Sequence, residues 1–132
     1  MLNPKILMTS SSLVLGLAGI FALFVPDVVL AVLGTLVTAE LSVLVQLSGA
    51  LYFSFALMNW TAKDSAIGGI YARPVSLGNF GHFFIGALLL IRYQISNEIN
   101  VIILLALVPY VIYASLFYWL VFRATGMEGR KP

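Results

Sequence analysis

Four long stretches of this 132-residue chain contain no Asp, Glu, Lys or Arg, and they constrain the fold more than any other feature. They cover residues 6–25, 41–60, 74–91 and 101–122. An α-helix rises about 1.5 Å per residue, so each stretch, as a helix, matches the roughly 30 Å hydrocarbon core of a bilayer. Lipid offers no hydrogen-bond partner to the backbone, and the stretches are too continuously apolar for barrel strands. The sequence therefore predicts an all-α integral membrane protein, a four-helix antiparallel bundle that forms a single transmembrane domain over residues 1–132.

The composition agrees with this class and excludes several chemistries. Charged residues make up 9% of the chain, whereas soluble domains carry about 25%. The chain has no cysteine and one histidine, which cannot supply a three-ligand metal site or a bis-histidine haem. We therefore expect no metal and no cofactor. The formal charge of +2 is too small to suggest a nucleic-acid partner.

The first apolar stretch is predicted to be a retained helix. It ends in Phe24-Val25-Pro26-Asp27, which lacks the small-residue cleavage site of a signal peptide. Its small residues Ser12, Gly16 and Gly19 lie on one side, a pattern that lets another helix approach closely. The segment Gly16-Leu17-Ala18-Gly19-Ile20-Phe21-Ala22-Leu23-Phe24-Val25-Pro26, with Gly34 soon after, resembles small four-helix bacterial membrane proteins of the DoxX-like family. The resemblance covers less than a quarter of the chain; it implies an antiparallel four-helix bundle and carries no functional residue to this chain.

The next apolar region, residues 28–60, would overshoot the membrane as one helix of about 50 Å. Gly34 and the polar residues that follow it predict a break. We expect a short interfacial helix over residues 28–34 with Asp27 as its N-cap. Thr38 or Glu40 then begins the second span, which places Glu40 at the membrane surface.

The charges between the spans predict the orientation. Antiparallel helices place six cations on the side of the two termini and the middle loop, and one cation, Arg92, on the other. The six are Lys5, Lys63, Arg73, Arg123, Arg130 and Lys131. Because cytoplasmic loops carry an excess of Lys and Arg, both termini are expected in the cytoplasm, with the bacterial inner membrane as the expected location.

Three residues are assigned to the membrane interface. Trp60 closes the second span as an interfacial aromatic side chain. Arg73 and Arg92 flank the third span, where they hold an anionic lipid head group or simply extend their charge to the interface. The loop that follows Trp60, residues 62–73, contains the pair Gly68-Gly69 and is predicted to gate or cap the cytoplasmic end of the bundle.

The only histidine, His82, lies near the centre of the third span and is predicted to anchor a polar cluster at the membrane midplane. Asn79 shares its helix face. Gln46, Tyr110 and Tyr113 lie on the mixed polar and aromatic stripes of the second and fourth spans, and such stripes face one another because aliphatic faces turn to lipid. Pro109 leaves a carbonyl free one turn earlier, which adds a further acceptor for the cluster.

The cluster has two interpretations. Histidine and tyrosine can form purely structural interhelical hydrogen bonds, or they can line a ligand site, as intramembrane ionisable residues often do. Three functions stay open. The first is a bundle that binds a membrane lipid, a quinone, another apolar small molecule or a membrane partner. The second is a homo-oligomeric channel or transporter assembled through the faces of Gly16, Gly19 or Gly49, and the third is a membrane enzyme, or a subunit of one, with His82 as acid or base.

Overall fold

The computed structural model describes residues 3–64 and 72–122, and this part of the chain is helical with short connections. The helices are α1 (Pro4–Phe24), α2 (Pro26–Val32), α3 (Ala39–Ala62), α4 (Ala72–Ser96) and α5 (Val101–Phe122). All except α2 are long and apolar enough to cross a membrane. The prediction of an all-α chain with four such helices is confirmed. The proposed cap of the middle loop falls largely on residues 65–71, outside the described residues.

The predicted helix ends are partly wrong. The third span, predicted over residues 74–91, extends through Arg92 and Tyr93 to Ser96. Its 25 residues cover about 37 Å, more than one hydrocarbon thickness. Likewise, α3 continues two residues beyond Trp60, which therefore lies in the last turn of the helix and does not end it. A charged or amphipathic side chain near the interface does not stop a helix, because its backbone remains hydrogen-bonded and its polar end reaches water.

The predicted break before the second span is present, with different details. The short helix α2 begins at Pro26, and its N-cap is Val25, without a side-chain cap. Asp27 is therefore not the predicted N-cap; its carboxylate accepts a hydrogen bond from the hydroxyl of Ser42 on α3. The chain reverses at Gly34, whose φ of 74° lies in the region that only glycine adopts without strain. Thr38 then caps α3, as predicted, by accepting from the amide of Leu41 at 3.3 Å.

The chain divides into two compact units, residues 1–64 and 65–132. In the first unit, α1 and α3 meet at Gly19 and Gly49. A Cβ added to Gly19 would lie 2.9 Å from the carbonyl oxygen of Gly49, so neither position has room for a side chain. The small-residue face predicted on α1 is thus used inside the unit. Each of these two glycines is covered by the other's helix; assembly of several copies through the faces of Gly16, Gly19 or Gly49 stays a prediction.

Buried polar side chains reinforce the contact between α1 and α3. The hydroxyl of Ser12 donates to the carbonyl of Ala56 at 2.7 Å. One turn away, the amide of Asn59 donates to the hydroxyl of Ser11 at 3.0 Å, and Asn59 and Ser11 are fully buried. The hydroxyl of Ser11 in turn donates to Met8 in its own helix. This network ties the two helices together near the end of the unit that carries the exposed ion pair of Lys5 and Asp64, at 2.6 Å.

In the second unit, α4 and α5 form a helical hairpin. Its turn is fixed by two hydrogen bonds between the Gln94 side chain and the Asn100 backbone. The side-chain amide N–H of Gln94 donates to the backbone carbonyl of Asn100 at 2.7 Å, and the backbone N–H of Asn100 donates to the side-chain oxygen of Gln94 at 3.1 Å. The side-chain oxygen of Asn100 also accepts from the amides of Ile102 and Ile103. Asn100 therefore caps α5, and the hairpin holds the two helices antiparallel.

Candidate functional site

The α4–α5 hairpin carries four of the five residues predicted for the midplane cluster. His82 and Asn79 come from α4, and Tyr110 and Tyr113 come from α5. They lie on the facing sides of the two helices because the outer faces are Leu, Ile and Val, such as Leu88 and Leu104, which are exposed. The structure therefore brings these four predicted residues to the contact between α4 and α5.

His82 and Tyr110 form the polar contact of the hairpin. The Tyr110 hydroxyl lies 3.4 Å from Nε2 of His82, which is longer than the usual 2.7–3.2 Å of such hydrogen bonds. The centroids of the two rings are 5.4 Å apart. Both side chains are half-buried, so this pair is part of the helix contact and also reaches the surface of the protein.

Tyr113 belongs to an aromatic core. Its ring stacks on Phe83 with centroids 4.9 Å apart, and Phe83 also stacks on Phe117 at 5.9 Å. All three rings are buried. Offset and tilted aromatic pairs contribute about 0.5–1.5 kcal/mol beyond their burial, so this stack stabilises the hairpin. Tyr113 therefore acts as packing beneath the His82–Tyr110 pair.

Asn79 is also buried completely. Its side-chain amide donates to the carbonyl of Val75, one turn earlier in the same helix, at 2.9 Å. A bond of this kind satisfies a polar group in an apolar setting. It gives Asn79 a structural role within α4, one turn before His82.

Gln46 lies in the first unit. Its amide donates to the carbonyl of Leu23, near the end of α1, at 3.1 Å, and its side chain is exposed. This bond satisfies one of the last carbonyls of α1, which have no partner in their own helix. The association of Gln46 with the other four cluster residues stays a prediction.

The predicted interfacial residues have exposed side chains. The ammonium group of Lys63 lies over the ring of Trp60, 3.0 Å from its centroid, a cation–π contact between neighbours near the end of α3. Arg73 and Arg92 are exposed near the two ends of α4. These positions suit side chains that reach the membrane surface; the assignment of head-group binding to them stays a prediction.

An apolar groove in the first unit was not anticipated. It has a volume of about 270 Å³ and lies where α2 meets α1 and α3. Ser48 and Tyr52 add hydroxyl groups to its otherwise aliphatic lining, which consists of Ala22, Val29, Leu41, Leu44 and Val45. The hydroxyl of Ser48 donates to its own helix at Leu44. The break at Gly34 is the sequence feature that could have predicted this groove, because a short helix that folds back leaves a recess against the longer helices.

In the second unit, the imidazole of His82 can form hydrogen bonds and can accept or donate a proton. Within residues 3–64 and 72–122, no group of three or more His, Asp or Glu side chains is arranged to hold a metal ion. The four apolar stretches contain no Asp, Glu, Lys or Arg, so their polar groups are neutral hydroxyls and amides and the imidazole of His82. Comparisons of the chain with protein-family models, curated proteins and solved structures found no match.

Proposed function

We propose that this chain is an integral membrane protein that binds a lipid, a quinone or another apolar molecule, with His82 and Tyr110 as its polar anchor. In this proposal the four long helices cross the membrane as an antiparallel bundle. Both termini lie on the cytoplasmic side, which for a bacterial protein is the inner face of the inner membrane.

The half-buried His82–Tyr110 pair is the observation that carries the proposal. A polar group with a purely structural role in a membrane protein is covered and bonded, as Asn79 and the Asn59–Ser11 pair are in this protein. His82 and Tyr110, by contrast, are only half-buried, and the large exposed side chains of their two helices are mostly aliphatic and aromatic. Pockets for small apolar molecules combine such a surface with a few placed polar groups.

The alternatives have less support from the contacts. A channel or transporter would need several copies, because four helices enclose little space, and the glycine faces suggested for assembly at Gly19 and Gly49 are filled within the first unit. An enzyme with His82 as acid or base would need a reacting partner for the imidazole. The hydroxyl of Tyr110 and the ring of Phe83 both lie beside the imidazole, and these groups suit hydrogen bonding to a bound molecule and packing against it.

The test is co-purification of the bound molecule. The protein is purified in a mild detergent and extracted with organic solvent, and the extract is compared by mass spectrometry with that of the His82→Ala variant. Interhelical hydrogen bonds in membranes contribute about 0.6–1.7 kcal/mol. With the same range for a bond between His82 and the bound molecule, we expect retention to fall about 3- to 20-fold.

Ser115→Ala is the matched control. Ser115 lies on α5, is exposed, and donates only within its helix, to Val111, so its loss should leave the extract unchanged. Circular dichroism checks that both variants remain helical. An extract that contains the same molecules in the same amounts for wild type, His82→Ala and Ser115→Ala would refute the proposed site.

A further inference from the structure

Among the glycines of α4 in the described residues, Gly86 is the one at which a neighbouring side chain occupies the space that a Cβ would need. A Cβ placed on Gly86 would overlap ring atoms Cε1 and Cδ1 of Tyr110. Gly78 and Gly81, in the same helix, have no such neighbour within 4 Å of an added Cβ. The ring of Tyr110 therefore rests on the bare backbone of α4 at Gly86.

This contact determines where the Tyr110 hydroxyl lies. Gly86 is four residues after His82, so the two positions are neighbours on one face of the helix, one turn apart. A ring lying across Gly86 has its hydroxyl directed along that face toward the imidazole, at the observed 3.4 Å. The ring of Phe83 also packs against the Tyr110 ring, with centroids 5.4 Å apart and the two planes nearly perpendicular.

We propose that Gly86 is a positioning residue of the His82–Tyr110 site, and that the pair it holds together selects an uncharged apolar ligand bearing a carbonyl or hydroxyl group. This inference rests on the proposed function and adds the ligand class. A side chain at position 86 would move the phenol ring away from the backbone and separate the hydroxyl from the imidazole. The site would then present two separate polar groups rather than an adjacent pair.

The absence of charge in the spans decides the ligand class. No Asp, Glu, Lys or Arg occurs in the four apolar stretches, so a charged group drawn to the depth of His82 would lack a full counter-charge and would lose its hydration. A carbonyl or hydroxyl oxygen needs only a hydrogen bond, which a phenol or an imidazole N–H supplies. Aromatic rings around the pair provide the apolar contact for the rest of the molecule.

The experiment uses the single histidine as a reporter. Protein labelled with ¹⁵N-histidine gives one imidazole to observe by NMR, and it is titrated with decylubiquinone, an uncharged carbonyl compound, and separately with oleate, a charged one. We expect decylubiquinone to shift the imidazole resonances of the wild type and oleate to leave them nearly unchanged. In Gly86→Ala the resonances of the ligand-free protein should already be shifted, and the apparent Kd for decylubiquinone should rise at least about threefold, the equivalent of one average hydrogen bond in a membrane.

Gly78→Ala is the control, since it adds the same methyl group to the same helix in open space; it should keep both the wild-type resonances and the wild-type Kd. Equal behaviour of Gly86→Ala and Gly78→Ala would overturn the role of Gly86 while leaving the proposed function intact. Equal or stronger binding of oleate would overturn the ligand class. No response of the imidazole to either probe would overturn the proposed function itself.

If Gly86→Ala does not fold, the double variant Gly86→Ala/Tyr110→Ala decides the question. Removing the phenol ring removes the overlap, so the double variant should recover its helical circular dichroism. A double variant that remains unfolded would show that Gly86 is required for some reason other than the Tyr110 ring, and would overturn the inference.

Discussion

An alanine at Gly19 is expected to destabilise the first unit, whereas an alanine at Gly16 is not. The added Cβ at Gly19 would lie 2.8 Å from the backbone nitrogen of Phe53 and 2.9 Å from the carbonyl oxygen of Gly49. Carbon atoms pack at about 3.5–4.0 Å, and backbone atoms cannot rotate away as a flexible side chain can. The two helices must therefore separate by roughly 0.7 Å to accept the methyl group.

The size of the effect follows from that separation. A gap of about 0.5–1 Å loses a quarter to a half of the dispersion energy of each contact that it opens, and overpacking generally costs about 1–3 kcal/mol. Replacing glycine by alanine within a helix returns up to about 1 kcal/mol. We expect Gly19→Ala to lower the free energy of unfolding by about 1–2 kcal/mol. At Gly16 the new Cβ would meet only the Cβ of Ala56, at 3.5 Å, so Gly16→Ala should be neutral or stabilise by up to about 1 kcal/mol.

The measurement is an SDS titration of the purified protein in mixed micelles. Trp60 lies in the first unit, and the chain has one other tryptophan, Trp119. In a Trp119→Phe background, the fluorescence of Trp60 therefore reports on the unit that contains both glycines. If Gly16→Ala and Gly19→Ala shift the midpoint equally, the close contact between α1 and α3 is not what excludes a side chain at Gly19, and the reasoning fails.

Three further predictions concern the connections and the orientation. Asn100→Ala should lower the free energy of unfolding by about 1 kcal/mol, because it removes the cap of α5, and an unchanged SDS midpoint would contradict this. The hydrogen bond from Lys5 lowers the pKa of Asp64, so its contribution is complete above the ordinary aspartate pKa of about 3.9 and is lost as the pH falls through the lowered value. The stabilities of wild type and Asp64→Asn should therefore converge at low pH and at high salt, and a constant difference would refute the role of the pair. Because the chain has no native cysteine, a membrane-impermeant maleimide applied to intact cells should label Glu98→Cys and not Asp64→Cys, and the reverse pattern would invert the proposed topology.

Hydropathy predicted where helices exist, because a lipid environment leaves the backbone few alternatives. It did not predict where they end. The third span continues past Arg92 because the Gln94–Asn100 exchange, and not the first charged residue, fixes the turn. Such a turn depends on the Gln94 side chain reaching the backbone of Asn100, six residues later, and local composition does not predict that contact.

The candidate site, like the helix ends, could be predicted only in part, because hydropathy and helix faces do not show which side chains meet after packing. Counting from the span ends predicts His82 and Tyr110 at similar depth, and the structure brings the two side chains into contact. Depth and helix face do not distinguish half-buried groups from buried ones, and two other members of the predicted cluster, Asn79 and Tyr113, are buried. The Asn59–Ser11 pair was missed entirely. A serine and an asparagine near the ends of two spans have the appearance of interfacial residues until the helices are packed together.

The two units use different means to hold their helices, and this difference separates structural polar groups from the candidate site. In the first unit, Gly19 and Gly49 let the backbones of α1 and α3 approach closely. Asn59 and Ser11 lie between the same two helices and are fully buried, so they cannot contact a ligand unless α1 and α3 separate. In the second unit, aromatic rings fill the contact between α4 and α5, and Gly86 accepts a ring rather than a backbone. Bulky rings leave the polar groups at the edge of the contact half-buried, which is the state of His82 and Tyr110. The packing that builds the hairpin therefore also leaves the imidazole of His82 partly exposed, as the proposed binding of an apolar molecule requires.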